Sequence, residues 1–197
     1  MVDVPVYYFV GDNIGAGNSP GDLLALTVND EQFYTGPLAT GVIWDPDVAG
    51  GGAAKTFRPY DLATLPNPAG ANSTARKYVG ADHGFILEAA KREAALGAWF
   101  VKYLTRGVVG PAVDGPSTRR WQKAAAEAYS DWLGYCSDAH AFIASNPVNV
   151  RRARAIIVSM GWSDARFVPS NVDTFYENFH QWIADLRADL ATGTPAD

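Results

Sequence analysis

The run Val6-Tyr7-Tyr8-Phe9-Val10 constrains the chain more than any other feature, because apolar residues follow one another where a strand with one wet face would alternate. A strand apolar on both sides needs cover on both, as in a parallel sheet with crossover helices above and below. The run stops at Gly11-Asp12-Asn13, residues suited to a turn. Two later runs follow the same rule. Ala98 to Leu104 comes after a helical segment that starts at Asp82, a good N-cap, carries Phe85, Ile86, Ala89, Ala90 and Ala94, and closes on Leu96-Gly97. Ala153 to Met160 comes after a longer one, opened by Ser117-Thr118, in which Trp121, Ala125, Ala128, Trp132, Cys136, Ala139 and Ile143 step by three or four until Pro147. A last helix from about Asp173 puts Phe175, Phe179, Trp182, Ile183, Leu186 and Leu190 on one face.

Strand and helix thus alternate three times, the pattern of an α/β three-layer sandwich with a short parallel sheet. With 197 residues, 48% hydrophobic and 19% charged, the chain suits one domain with a generous core. Residues 18–80 read as a long insertion after the first strand, where Gly and Pro recur; Gly41 to Trp44 and Lys55 to Arg58 are its strand-like pieces, a hairpin across Gly50-Gly51-Gly52. Residues 191–197 read as a flexible tail. A net charge of −5 provides no basic field for nucleic acid, and Arg119-Arg120 and Arg151-Arg152-Ala153-Arg154 fit solvated charge or salt bridges better than a phosphate track. No apolar run approaches the ~20 residues of a membrane span, and Met1 to Pro5 lacks the basic start of a signal peptide, so synthesis in a cytoplasm is expected. Cys136, the single cysteine, reads as a buried inert thiol, and neither a metal nor a cofactor is expected.

In a parallel sheet, function gathers at the carboxyl ends of the strands, here Asp12 and Asn13, the turn at Gly107, and Gly161, Ser163 and Asp164. These segments resemble a family. VYYFVGDNIGAG (Val6 to Gly17) resembles the first block of the SGNH (GDSL) hydrolases, nearest the sialate O-acetylesterase-like carbohydrate esterases. YVGADHGFILEAA (Tyr78 to Ala90) resembles the loop into helix after their long insertion, Gly107 lies where their second block would, and IIVSMGWSDA (Ile156 to Ala165) is similar to their strand ending in Gly-x-Ser-Asp-Ala. The resemblance implies a flavodoxin-like, SGNH-like sheet of about five parallel strands, the second on one side of the first and the third on the other.

It also implies where a nucleophilic serine would stand, and Asn13 stands there. An amide has no hydroxyl to deprotonate and cannot form an acyl intermediate. Ser19 lies too far along the loop and Ser163 belongs to another strand. The family's histidine, three residues after an aspartate and beyond the last strand, has no counterpart among His83, His140 and His180. His83 reads as a surface residue at the first helix, the other two as half-buried or solvated helix residues. Glu177 and His180 have the spacing of a di-iron pair without the second pair such a site needs.

Asp12, Asn13, Gly107, Gly161, Ser163 and Asp164 then form a relict pocket. They either hold a polar ligand such as a sugar, Asn13 and Ser163 donating and Asp12 accepting, or satisfy the strand ends and helix starts locally. With only three strands, Ala153 to Met160 is an edge that a protein partner or a second copy should cover. The reading is a non-catalytic SGNH-like structural or interaction protein, a phage virion accessory such as a capsid decoration or tail protein, its 18–80 arm docking through Trp44, Phe57 and Tyr60. The alternatives are a carbohydrate O-acyl esterase and a carbohydrate-binding module using the relict pocket.

Overall fold

The computed structural model describes residues 1–12, 38–45, 55–60, 81–105, 107–113, 115 and 119–191. In chain order the elements are β1 (Val2–Gly11), β2 (Gly41–Asp45), β3 (Thr56–Pro59), α1 (Ala81–Arg92), β4 (Ala98–Leu104), the short β5 (Gly107–Val108) and β6 (Arg119–Arg120), α2 (Ala128–Ala144), β7 (Asn149–Ser159), α3 (Trp162–Phe167) and α4 (Phe175–Ala191). A 3-10 turn at Lys123–Ala125 precedes α2, and another at Pro169–Thr174 precedes α4.

The main sheet has five strands in the order β3-β2-β4-β1-β7, and only β3 runs antiparallel to its neighbour. β1 is the inner strand its composition called for, buried from Val4 to Gly11. Its side chains alternate between two cores. Val4, Val6, Tyr8 and Val10 face α2 and α4 through Trp132, Cys136, Ala139, Trp182 and Leu186, while Tyr7 and Phe9 face α1 through Ile86 and Ala89. The molecule is therefore mixed α/β, a mostly parallel sheet with helices on both faces. A proline in an inner strand is unusual because it cannot donate to the ladder. Pro5 is tolerated because β4 pairs with β1 only from Val6 onward, so at Pro5 β7 alone lies alongside.

β4 and β7 flank β1 on opposite sides, the relative order expected, and β7 is an edge strand. Several expectations are corrected. The sheet has five strands, not three, because the 18–80 segment contributes β2 and β3 beyond β4. Their pairing is the expected hairpin, Val42 opposite Pro59 through Asp45 opposite Thr56. The helix expected from Ser117 starts at Ala128. Arg119–Arg120 bridges to Gly107–Val108 instead, and Glu127 closes the intervening turn by accepting the Arg120 backbone N–H at 2.7 Å and its Nε–H at 3.0 Å. Trp121, within that turn, inserts between Tyr103 and Trp182, edge to face at centroid separations of 5.8 and 5.7 Å. Burial of the indole thus outweighs the helical period that its position suggested. Beyond the strand end at Gly161, Trp162–Phe167 forms the short helix α3, an element not expected there.

Trp44, Phe57 and Tyr60 are also corrected. Trp44 and Tyr60, expected as outward anchors, point into the core, and Phe57 packs half-buried against it. Trp44 and Tyr60 are 1% and 2% exposed. Phe57 packs between Trp44 and Trp99 at centroid distances of 5.0 and 4.5 Å. The Tyr135 hydroxyl donates to the Trp44 carbonyl at 3.2 Å, tying the hairpin to α2.

Among the described residues no helix is long and apolar enough to cross a membrane. The arginine clusters are engaged at home: Arg119 with Asp131 at 2.6 Å, Arg120 with Glu127 at 2.5 Å, Arg152 with Asp3 at 3.3 Å and Arg154 with Glu93 at 3.4 Å.

Candidate functional site

β1, β4 and β7 end together, and their ends are stitched by backbone and carboxylate. The Asp12 N–H donates to the Ser159 carbonyl at 2.5 Å, and the Thr105 N–H donates to the Gly11 carbonyl at 2.9 Å. Asp12 is fully buried and its Oδ2 accepts the Ser163 backbone N–H at 3.0 Å, which orients the first turn of α3. Ser163 is equally buried, and its Oγ has no hydrogen-bond partner among the described residues. Among the described residues no base is placed on that hydroxyl.

Asp164 does more. Its Oδ2 accepts the Val109 N–H at 3.1 Å, and its Oδ1 accepts the Gly110 N–H and Asn171 Nδ2 at 3.0 Å each. Asn171 continues the clamp, donating to the Ala112 carbonyl at 3.0 Å and accepting the Ala112 N–H at 3.2 Å. Two side chains from the far side of the sheet therefore mimic a strand for the loop after β5. A carboxylate with three donors is a satisfied group. The remaining glycines serve packing. A Cβ on Gly107 would lie 2.6 Å from the Trp121 indole, and one on Gly161 would lie 2.9 Å from the Phe175 ring at a φ of +103°.

The structure thus brings Asp12, Ser163 and Asp164 to one place, sets Gly107 and Gly161 against aromatic rings, and engages Asp12 Oδ2 and both Asp164 oxygens in local hydrogen bonds, while the Ser163 hydroxyl is buried without one among the described residues. Asn13, expected at the nucleophile position, and Ser19 lie outside the described residues, as does the side chain of His83. Asn171 was not singled out by its sequence; the only signal was a polar residue in the Pro169-Ser170-Asn171 stretch before the last helix.

The other two histidines are elsewhere. His180 stands on α4, exposed and stacked against Tyr176. His140, on α2, meets the Tyr8 hydroxyl at 2.8 Å, and Arg151 Nη1 donates both to that hydroxyl and to the Leu190 carbonyl at 3.0 Å. Arginine can only donate, so the Tyr8 oxygen accepts there and its proton points to His140 Nε2. The imidazole is thereby an acceptor and neutral. Burial, reinforced by the nearby Arg151 charge, pushes its pKa down from 6.5 to about 3. The unfolded chain, with an ordinary histidine, takes up a proton first as pH falls. The contribution is therefore complete above pH 6.5 and is lost progressively as pH drops toward 3. Urea unfolding at pH 5.5 should show roughly 1 kcal/mol less stability than at pH 7.5. His140→Phe should flatten that difference; an unchanged slope would place its origin in another group.

On acids burial acts in the opposite direction, raising the pKa, because there too it disfavours the charged form. Tyr7, desolvated and hydrogen-bonded to Glu93 at 2.9 Å, is raised to about 12, and the Cys136 thiol is driven upward by burial, an inert thiol. Among the described residues no group of three or more His, Cys, Asp or Glu side chains is placed to hold a metal ion. No family model, no curated protein and no solved structure matches this chain.

Proposed function

We propose that the chain is a non-catalytic, SGNH-like α/β domain that works as a structural or interaction protein, with a virion accessory role as its setting. One observation carries the non-catalytic part: the carboxylates at the strand ends are engaged in building the fold, and the one described hydroxyl among them is buried. Ser163 has no base on its hydroxyl among the described residues, and Asp164 holds three donors of the neighbouring loop and turn. Hydrolysis through an acyl intermediate needs a hydroxyl that a base can reach and a substrate carbonyl can approach. The described strand ends supply neither. The interaction part is supported by β7, whose outer side has no neighbouring strand among the described residues.

Purified protein with p-nitrophenyl acetate should release nitrophenol no faster than buffer. A serine-directed phosphonate should leave its mass unchanged. Turnover accompanied by a labelled serine would overturn this reading.

A further inference from the structure

Four elements meet at one buried chain of hydrogen bonds. Arg151 of β7 donates through Nη1 to the Tyr8 hydroxyl of β1 and to the Leu190 carbonyl in the last turn of α4, at 3.0 Å each, and the same hydroxyl meets His140 Nε2 of α2 at 2.8 Å. Its donors run one way only. The guanidinium cannot accept, so Tyr8 directs its proton to His140, and the chain is complete only while Nε2 keeps its lone pair. Protonation reverses that end. An imidazolium offers a second N–H to the tyrosine oxygen, leaves the tyrosine proton without its acceptor, and sets a second positive charge near the guanidinium.

The groups around His140 do not offset that charge. Tyr8 comes from β1 and Arg151 from β7, while on α2 itself Cys136 is a buried thiol and the Asp138 carboxylate is held by Lys55. Among the described residues no carboxylate is hydrogen-bonded to the imidazole. The last turn of α4 also has a second tether. Asp189 accepts from Lys123 Nζ at 2.8 Å and from the Tyr129 hydroxyl at 2.6 Å. Burial works against the Asp189 charge, but the hydrogen bonds from Lys123 and Tyr129 outweigh it and hold the pKa below its ordinary 3.8. Of the two tethers, only the one through His140 therefore changes between pH 7.5 and pH 5.

We propose that this chain of hydrogen bonds is an acid-sensitive latch: proton uptake by His140 releases the Leu190 end of α4, so that the last turn of the helix opens while the sheet stays paired. What opens is core. Leu190 is 3% exposed and belongs to the same buried cluster as Tyr8, Ala139 and Ile143. Acid thus makes one sealed end of that core accessible ahead of unfolding, and it does so whether or not the domain is catalytic.

Hydrogen exchange of the full chain, corrected for the intrinsic pH dependence of amide exchange, reads the opening of each element. Between pH 7.5 and pH 5 the opening constant of the Arg187 to Ala191 amides should rise about tenfold or more, because the opened state binds a proton as an ordinary histidine does and the latched state does not. These amides should be less protected than those of β1 at both pH values, the sign of a local opening. His140→Gln has an amide oxygen to take the Tyr8 proton and cannot titrate, so it should remove the pH dependence. Asp189→Asn should raise the opening at every pH in this range without changing its slope. A last turn whose opening is flat with pH in the wild type overturns the proposal. So does a slope that survives in His140→Gln, which would place it in another group such as His180, and so do last-turn amides that exchange only together with β1, which would leave His140 acting on global stability alone.

Discussion

Gly11→Ala is expected to leave most of the chain unfolded. Gly11 has a φ of +130°, a conformation that side-chain-bearing residues rarely adopt, and a Cβ there would lie 2.1 Å from the Ser159 carbonyl oxygen. The obstacle is backbone at the paired carboxyl ends of β1 and β7, so no rotamer change relieves it. Moving Ser159 would break the bond it accepts from Asp12 and the register of β1 with β7. Backbone strain and overpacking of ~1–3 kcal/mol each combine to about 4 kcal/mol, a large part of a typical domain's stability. Soluble yield and urea unfolding are the measurements. Gly134→Ala is the contrast, since a Cβ at that position in α2 meets nothing within 4 Å. It should stabilise by about 0.5–1 kcal/mol through helix propensity. Equal behaviour of the two variants would refute the steric argument.

Asp164→Ala should cost about 3–5 kcal/mol, because it strands the Val109 and Gly110 N–H groups and Asn171 Nδ2 inside the protein with no acceptor. Asp164→Asn keeps an acceptor oxygen and should lose about half as much. The amides of Val109 and Gly110 report the mechanism directly. Their hydrogen exchange should accelerate in Asp164→Ala well beyond the change in β1 amides, since the loop loses its surrogate strand while the sheet keeps its ladder. Uniform acceleration across both regions would mean that Asp164 supports global stability with no special hold on the loop.

The legibility of this molecule divides along physical lines. β1, β4, β7 and α4 could be read because apolar runs and three-or-four spacing report directly on burial. The hairpin of β2 and β3 was visible as a local pattern, but its place in the sheet was not. Trp44 and Tyr60 look alike in sequence whether they point outward to a partner or inward to Tyr135 and Ile86. Only the pairing of β2 with β4, a long-range event, decides between them. The start of α2 was misread for a related reason, since Trp121 has helical spacing from Ala125 and Ala128 yet is held by aromatic neighbours from β4 and α4. At the strand ends, Asp12, Ser163 and Asp164 were picked out as a group, and they do stand together. What each one binds depends on loop amides that no motif announces, and Asn171 and Gly110 became visible only once the clamp had closed.

The placement of β1 has a consequence for how the chain must be made. It is the first described strand in order, but it is an inner one, and its neighbours are β4 and β7, the latter aligned from Asn149 opposite Val2. The sheet therefore cannot close around β1 while the chain is emerging from a ribosome. Its apolar segment lacks both flanks until β4 has been synthesised, and one flank until β7 has. Such non-local pairing raises the contact order and slows folding, because loop-closure entropy is lost well before the contacts that offset it form. A strand buried from Val4 to Gly11 in the finished protein thus stays uncovered for much of its synthesis.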